Sequence, residues 1–117
     1  MRRMAVALVG LLAVAAQAQQ PVTSNQRRLY TECVGSMERG AREAFMQSAG
    51  SDQPGLHETL QLTDICIQQV RKHPLSDALM REFESLVDTY RGAISVPSAA
   101  AAGVEASKGT HFLMLLN

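Results

Sequence analysis

Apolar side chains recur every three or four residues through most of residues 24–94. This interval places them on one face of an α-helix, whereas successive residues of a β-strand point to opposite faces. The clearest stretch has seven such positions: Leu75, Leu79, Phe83, Leu86, Val87, Tyr90 and Ile94. The sequence therefore predicts an all-α domain built from amphipathic helices.

Boundary signals divide this pattern into three predicted helices, at residues 24–48, 56–72 and 75–94. Thr23 and Gln26 fit a capping box at the start of the first helix. Residues 50–55, with the sequence GSDQPG, predict a turn after it. Pro74 ends the second helix, because the residue before a proline is pushed away from helical geometry. The predicted architecture is a small three-helix bundle in which the first two helices form a hairpin.

Two further features of the pattern concern how the predicted helices pack together. Gly35 and Gly40 lie inside the first helix, where each costs about 1 kcal/mol relative to alanine. Either another helix approaches closely at these positions, or the glycines are simply tolerated. On the second helix, the spacing predicts a core-facing side made of Thr59, Leu62, Ile65, Cys66, Gln69 and Val70.

The N-terminus has the three parts of a secretory signal peptide. Arg2 and Arg3 are its positive region, positions 5–16 are almost wholly apolar, and cleavage is expected between Ala18 and Gln19. The alternatives are a membrane helix and a buried helix of a cytosolic protein. The apolar run is too short to cross a hydrocarbon core of about 30 Å. A periplasmic or secreted location is therefore predicted.

The predicted organisation is a signal peptide at 1–18, a helical domain at 19–95 and a low-complexity tail at 96–117. Small residues dominate the first part of the tail, which has too little apolar bulk to pack and is predicted to be flexible. The last residues, His111 to Asn117, are apolar: they pack back on the bundle, bind a partner or have no role. After cleavage, acidic residues outnumber basic ones by two. That balance gives no basic footprint for nucleic acid and no polybasic membrane patch.

The mature chain would contain two cysteines, Cys33 and Cys66. Exported chains meet oxidising conditions, so a Cys33–Cys66 disulfide is predicted. It would close a loop of about 34 residues, which the chain-entropy model values at roughly 3–4 kcal/mol. Each cysteine lies about 20 Å from the predicted turn at 1.5 Å per residue, so the two would face each other across the hairpin. The alternatives are a metal site, a catalytic thiol and two separate buried thiols.

The sequence contains no recognisable catalytic set. His57 and Glu58 lack the second histidine of HExxH, and neither a GxSxG elbow nor a phosphate-binding glycine loop occurs. The three histidines, including His73, do not stand at metal-ligand spacing from either cysteine. No catalytic residue, metal ligand or cofactor is therefore predicted. An enzyme acting on cell-wall or small-molecule substrates stays the third alternative.

Two stretches resemble a known family. Cys33, Gly35, Gly40 and Ala41 in the first helix, and residues 70–90 (VRKHPLSDALMREFESLVDTY), are similar to parts of small periplasmic immunity proteins of the Rap/Tai type. The resemblance covers about 65 residues, and the chain lacks the further cysteines that the family pattern would place around the second and third helices. It implies a helical periplasmic protein that masks a toxin's active-site cleft, in this case an amidase effector of type VI secretion.

Together these observations predict an exported helical binding protein that masks a toxin or an envelope enzyme. Its partner would be a protein of the cell envelope, bound through an exposed helix face or through the loop at 50–55. The alternative is an envelope stress or chaperone-like protein without a dedicated partner. Such a protein would expose apolar surface and partly unfold on mild acidification.

Overall fold

The computed structural model describes residues 21–117. The predicted signal peptide and its cleavage site between Ala18 and Gln19 lie outside the described residues. The described chain is all-helical and contains no strand. Its four helices are α1 (Ser24–Ser48), α2 (Leu56–Arg71), α3 (Asp77–Ser95) and α4 (Ala99–Leu115).

The local signals at the start and end of α1 act as the sequence predicts. The Thr23 hydroxyl accepts a hydrogen bond from the Gln26 backbone N–H at 3.0 Å, and the Gln26 side chain accepts one from the Thr23 backbone N–H at 3.0 Å. This is the predicted capping box, and it satisfies two backbone donors that a helix start leaves free. At the other end, Gly50 has a φ of 97°, a conformation that glycine adopts without steric cost.

The predictions for α2 and α3 are also confirmed, to within one or two residues at each end. Ser76 caps α3 by accepting a hydrogen bond from the Leu79 backbone N–H. The Tyr30 hydroxyl of α1 donates to the Val70 carbonyl at 2.9 Å, in the last turn of α2. Carbonyls in the last turn of a helix have no partner within it, so this bond fixes the end of α2 against α1.

The prediction of a flexible tail after the third helix is wrong. Residues 99–115 form α4, whose N-cap Ser98 accepts a hydrogen bond from the Ala101 backbone N–H at 3.0 Å. Alanine has the highest helix propensity, and small side chains let a helix pack at short distance. The apolar end supplies the bulk, because Phe112 and Leu116 are buried in the core. Within residues 21–117 the bundle therefore has four helices instead of the predicted three.

The core forms around α1, which packs against each of the other three helices. Three aromatic rings meet where α1, α3 and α4 come together. Tyr30 and Phe83 stack edge to face with ring centroids 5.0 Å apart, and Phe112 lies 5.5 Å from Phe83. By contrast, α2 packs almost entirely on α1. The ion pair between Arg71 of α2 and Glu84 of α3 is too exposed to add much stability.

The two glycines of α1 have different packing environments. A Cβ on Gly40 would lie 3.2 Å from the Tyr90 ring and 3.3 Å from Leu60, so Gly40 marks the close approach of two other helices. A Cβ on Gly35 would meet nothing within 4 Å. Gly35 is therefore the tolerated glycine, and Gly40 is the one that packing requires.

The two glycines give a matched pair of variants. Gly35→Ala is expected to raise the free energy of unfolding by about 1 kcal/mol, because alanine is the better helix former. Gly40→Ala has the same propensity gain but presses on the fully buried Tyr90 ring, so it is expected to lower the free energy of unfolding by about 1 kcal/mol. Urea unfolding followed by circular dichroism measures both. Equal stabilisation by the two substitutions would contradict the close packing at Gly40.

Candidate functional site

The two cysteines lie together at the contact between α1 and α2. Cys33 is fully buried on α1, and Cys66 is half-buried on α2. Their thiols lie close together, near enough for each to shift the pKa of the other. The sequence prediction that both cysteines stand at the same height of the hairpin is consistent with this contact. We call the two side chains the thiol pair.

The thiol pair consists of two free thiols, near each other but not at the distance of a covalent bond. The Cys33–Cys66 disulfide accordingly stays a prediction. Its formation would bring the two neighbouring sulfurs to bonding distance. The closure would join α1 to α2 near the middle of both helices.

Hydrogen bonds hold the two helices in register on both sides of the thiol pair. Towards the turn, the Ser36 hydroxyl contacts the Thr63 hydroxyl, which also lies 2.7 Å from the Thr59 carbonyl. Towards the far end, the Tyr30 hydroxyl bonds to the Val70 carbonyl. These contacts are spaced about one helical turn from the cysteines, so the position of the sulfurs is set by groups above and below them.

The two thiols differ in acidity. A hydrogen bond to Cys66 and burial raise the pKa of Cys33 far above that of an ordinary thiol. The hydrogen bond from Cys33 lowers the pKa of Cys66, against the opposing effects of burial and of the nearby Glu32 carboxylate. The pair therefore keeps its last proton on Cys33 and places any thiolate on Cys66, the sulfur closer to solvent.

An exposed apolar strip runs along α2 beside Cys66. Leu62 and Ile65 are 54% and 55% exposed, although the sequence predicts that both face the core. They share a helix face with Cys66 and Gln69, at the spacing of three and four residues. We call these four residues the α2 strip. The periodicity of the sequence predicts a core position for Leu62 and Ile65. This prediction is wrong because α2 packs mainly on α1, which covers only a narrow side of the helix.

The other sequence candidates are not brought together. His57, His73 and His111 are all exposed and lie on different parts of the fold. Across residues 21–117, no group of three histidine, cysteine, aspartate or glutamate side chains is arranged to hold a metal ion. In the same part of the chain, no helix combines the length and apolarity that crossing a bilayer requires.

A buried carboxylate on α4 is the feature that the sequence least foretells. Glu105 is fully buried, and neither carboxylate oxygen has a hydrogen-bond partner among the described residues. It lies one turn before Gly109, whose missing side chain lets α4 approach Val34 of α1. A buried polar group without a partner costs about 1–3 kcal/mol, so α4 docks against this penalty.

Burial and the negative charge of Glu38 on α1 raise the pKa of Glu105 to about 7. Glu105 also interacts with the Tyr90 hydroxyl of α3, whose pKa is raised to about 12, chiefly by burial. Near neutral pH, the Glu105 carboxyl therefore exchanges its proton while Tyr90 stays neutral. The burial of Glu105 is not predictable from the sequence, because a lone glutamate in an alanine-rich helix is usually exposed.

Comparison of the chain with protein-family models, with curated proteins and with solved structures finds no match in any of the three. The resemblance of residues 70–90 to periplasmic immunity proteins therefore stays a prediction. The functional proposal below is therefore based on the thiol pair, the α2 strip and Glu105.

Glu105 predicts how stability depends on pH. Its pKa is raised in the folded state, so the fold favours the protonated carboxyl, and this contribution is lost as pH rises from about 4.5 through about 7. Glu105→Gln is expected to remove that dependence and to be more stable than the wild type by about 2–3 kcal/mol at pH 8, with little difference at pH 4.

Chemical unfolding of both proteins across this pH range measures the difference. Glu82→Gln removes an exposed carboxylate of α3 and is the matched control, expected to run parallel to the wild type. Parallel curves for Glu105→Gln and the wild type would show that Glu105 does not titrate in the buried position described above.

Proposed function

We propose that this protein is an exported helical binding protein that masks a toxin or an envelope enzyme by docking it on the α2 strip. The observation that carries the proposal is the exposure of Leu62 and Ile65 side by side on one helix face. Single exposed apolar residues are common on protein surfaces, but adjacent ones on a rigid helix supply anchors for a partner.

The charges around the α2 strip suggest the chemistry of the partner. Glu58 lies one helical turn before Leu62, Asp64 is next to Ile65, and Glu32 of α1 is close enough to influence Cys66. One basic residue, Lys72, lies one turn after Gln69. An apolar strip with an acidic border is complementary to a cleft with an apolar floor and basic groups at its edge. The expected partner is therefore a toxin or an enzyme whose cleft has this character, and binding of this kind weakens as salt is added.

The thiol pair supports the same function. A Cys33–Cys66 bridge formed after export would fix α2 on α1 and hold the α2 strip in one orientation. A surface that is already ordered loses less conformational entropy on binding. The resemblance to periplasmic immunity proteins agrees with a partner that is itself exported.

The acid-responsive chaperone is less well supported. Such a protein gains activity by loosening its packing as pH falls. Glu105 acts in the opposite direction, because its protonation removes the cost of burying a charge and stabilises the docking of α4. This contribution therefore opposes unfolding on mild acidification.

The test uses the mature protein purified from the periplasm, where it is expected to begin at Gln19. A stoichiometric partner captured from envelope extract is identified, purified and titrated against three forms: the wild type, Leu62→Gln/Ile65→Gln and a control, Val104→Gln/Met114→Gln. The control changes two residues of α4 that are similarly or more exposed, at 53% and 68%. Loss of both anchors is expected to cost about 2–3 kcal/mol, or roughly 30- to 150-fold in Kd.

The control is expected to bind the partner with the same Kd as the wild type. Added salt is expected to raise the Kd of both the control and the wild type. Equal binding by the strip variant and the wild type would exclude the α2 strip as the docking surface. Uncleaved protein confined to the cytoplasm would contradict export.

A further inference from the structure

We infer that the thiol pair is a thiol–disulfide exchange site, in which Cys66 attacks an incoming disulfide and Cys33 resolves the product. This rests on the Cys33–Cys66 bridge put forward above and adds its chemical route. It does not depend on whether a partner docks on the α2 strip.

The geometry sets the order of the two sulfurs. The side chain of Cys33 on α1 is completely buried under the neighbouring helices, so no external disulfide reaches it in the folded protein. Cys66 is half-buried and belongs to the α2 strip. Because the two thiols are neighbours at the contact between α1 and α2, a group attached to Cys66 would be held near the Cys33 sulfur.

The exchange balances in two steps. In the first, the Cys66 thiolate attacks one sulfur of a disulfide R–S–S–R, its S–S bond breaks, and R–S⁻ leaves. In the second, the Cys33 thiol gives up its proton and its sulfur attacks the Cys66 sulfur. The mixed disulfide breaks, and the second R–S⁻ leaves and takes up the proton. The thiol pair is oxidised by two electrons, and the disulfide is reduced to two thiols.

The hydrogen bond between the thiols suits both steps. The S–H of Cys33 stabilises the thiolate of Cys66, whose pKa is lowered, and a larger thiolate fraction near neutral pH speeds attack. Cys33 keeps its proton until a mixed disulfide has formed, because its pKa is raised by that hydrogen bond and by burial. Once Cys66 has reacted, its negative charge is gone and this contact no longer holds the proton on Cys33.

Glutathione disulfide is the first probe, added to reduced protein with mass spectrometry following the products. Cys33→Ser keeps only Cys66 and is expected to accumulate a mixed disulfide. Cys66→Ser keeps only the buried Cys33 and is expected to react at least tenfold more slowly. In urea, where burial is lost, the two variants are expected to react at similar rates. The wild type is expected to end as the intramolecular bridge, with no glutathione retained.

Two results would overturn the inference. Equal or faster modification of Cys66→Ser in the folded state would remove Cys66 as the attacking sulfur. A wild-type product that stops at the mixed disulfide would remove Cys33 as the resolving sulfur. Neither result bears on Kd for a docked partner, so failure here is distinct from failure of the binding proposal.

A further pair of variants tests the hydrogen bond. Cys33→Ser retains a donor to Cys66, whereas Cys33→Ala has none. The rate of Cys66 modification against pH is expected to shift to higher pH in Cys33→Ala relative to Cys33→Ser. Coincident pH profiles would show that Cys33 does not activate Cys66. Circular dichroism of both variants confirms that each is folded.

A second probe separates a small disulfide from a protein disulfide. It is a disulfide-linked peptide with leucines beside its cystine. A faster reaction than with glutathione disulfide, slowed by Leu62→Gln/Ile65→Gln, assigns a protein disulfide that lies on the α2 strip. Equal rates with the two probes assign a small-molecule disulfide as the oxidant.

Discussion

The fold depends on the burial of α1 against three other helices. Its core face supplies Tyr30 to the aromatic contact with α3 and α4, and Cys33 to the contact with α2. Gly40 lets the Tyr90 ring approach the helix axis. The two sides of α1 differ: α3 and α4 pack on α1 and on each other, whereas α2 depends on α1 for most of its packing. Function is proposed on the side with less packing.

Much of the fold could be predicted because its signals are local. The capping box at Thr23 and the turn at Gly50 are read from a few neighbouring residues, and each forms as expected. Helix α4 was missed because its evidence is not local. The alanine-rich composition of this segment is also typical of disordered chains. The contact that holds the helix in place is between the rings of Phe112 and Phe83, which are far apart in sequence.

The candidate site shows the same division. The meeting of Cys33 with Cys66 follows from the rise of a helix and the length of the turn, so the sequence predicts it. The difference between the two thiols does not, because burial depends on which helices cover each sulfur. The exposure of Leu62 and the burial of Glu105 were also beyond the sequence, since both depend on where α2 and α4 lie on α1.

Amide hydrogen exchange of the reduced and oxidised forms tests the central claim most directly, because α2 is held chiefly by α1 and the thiol pair lies at that contact. Oxidation is expected to slow exchange in α2 and in the adjoining turns of α1, and to leave α3 and α4 nearly unchanged. Equal protection of α2 in both forms, or the same change throughout the bundle, would contradict the account.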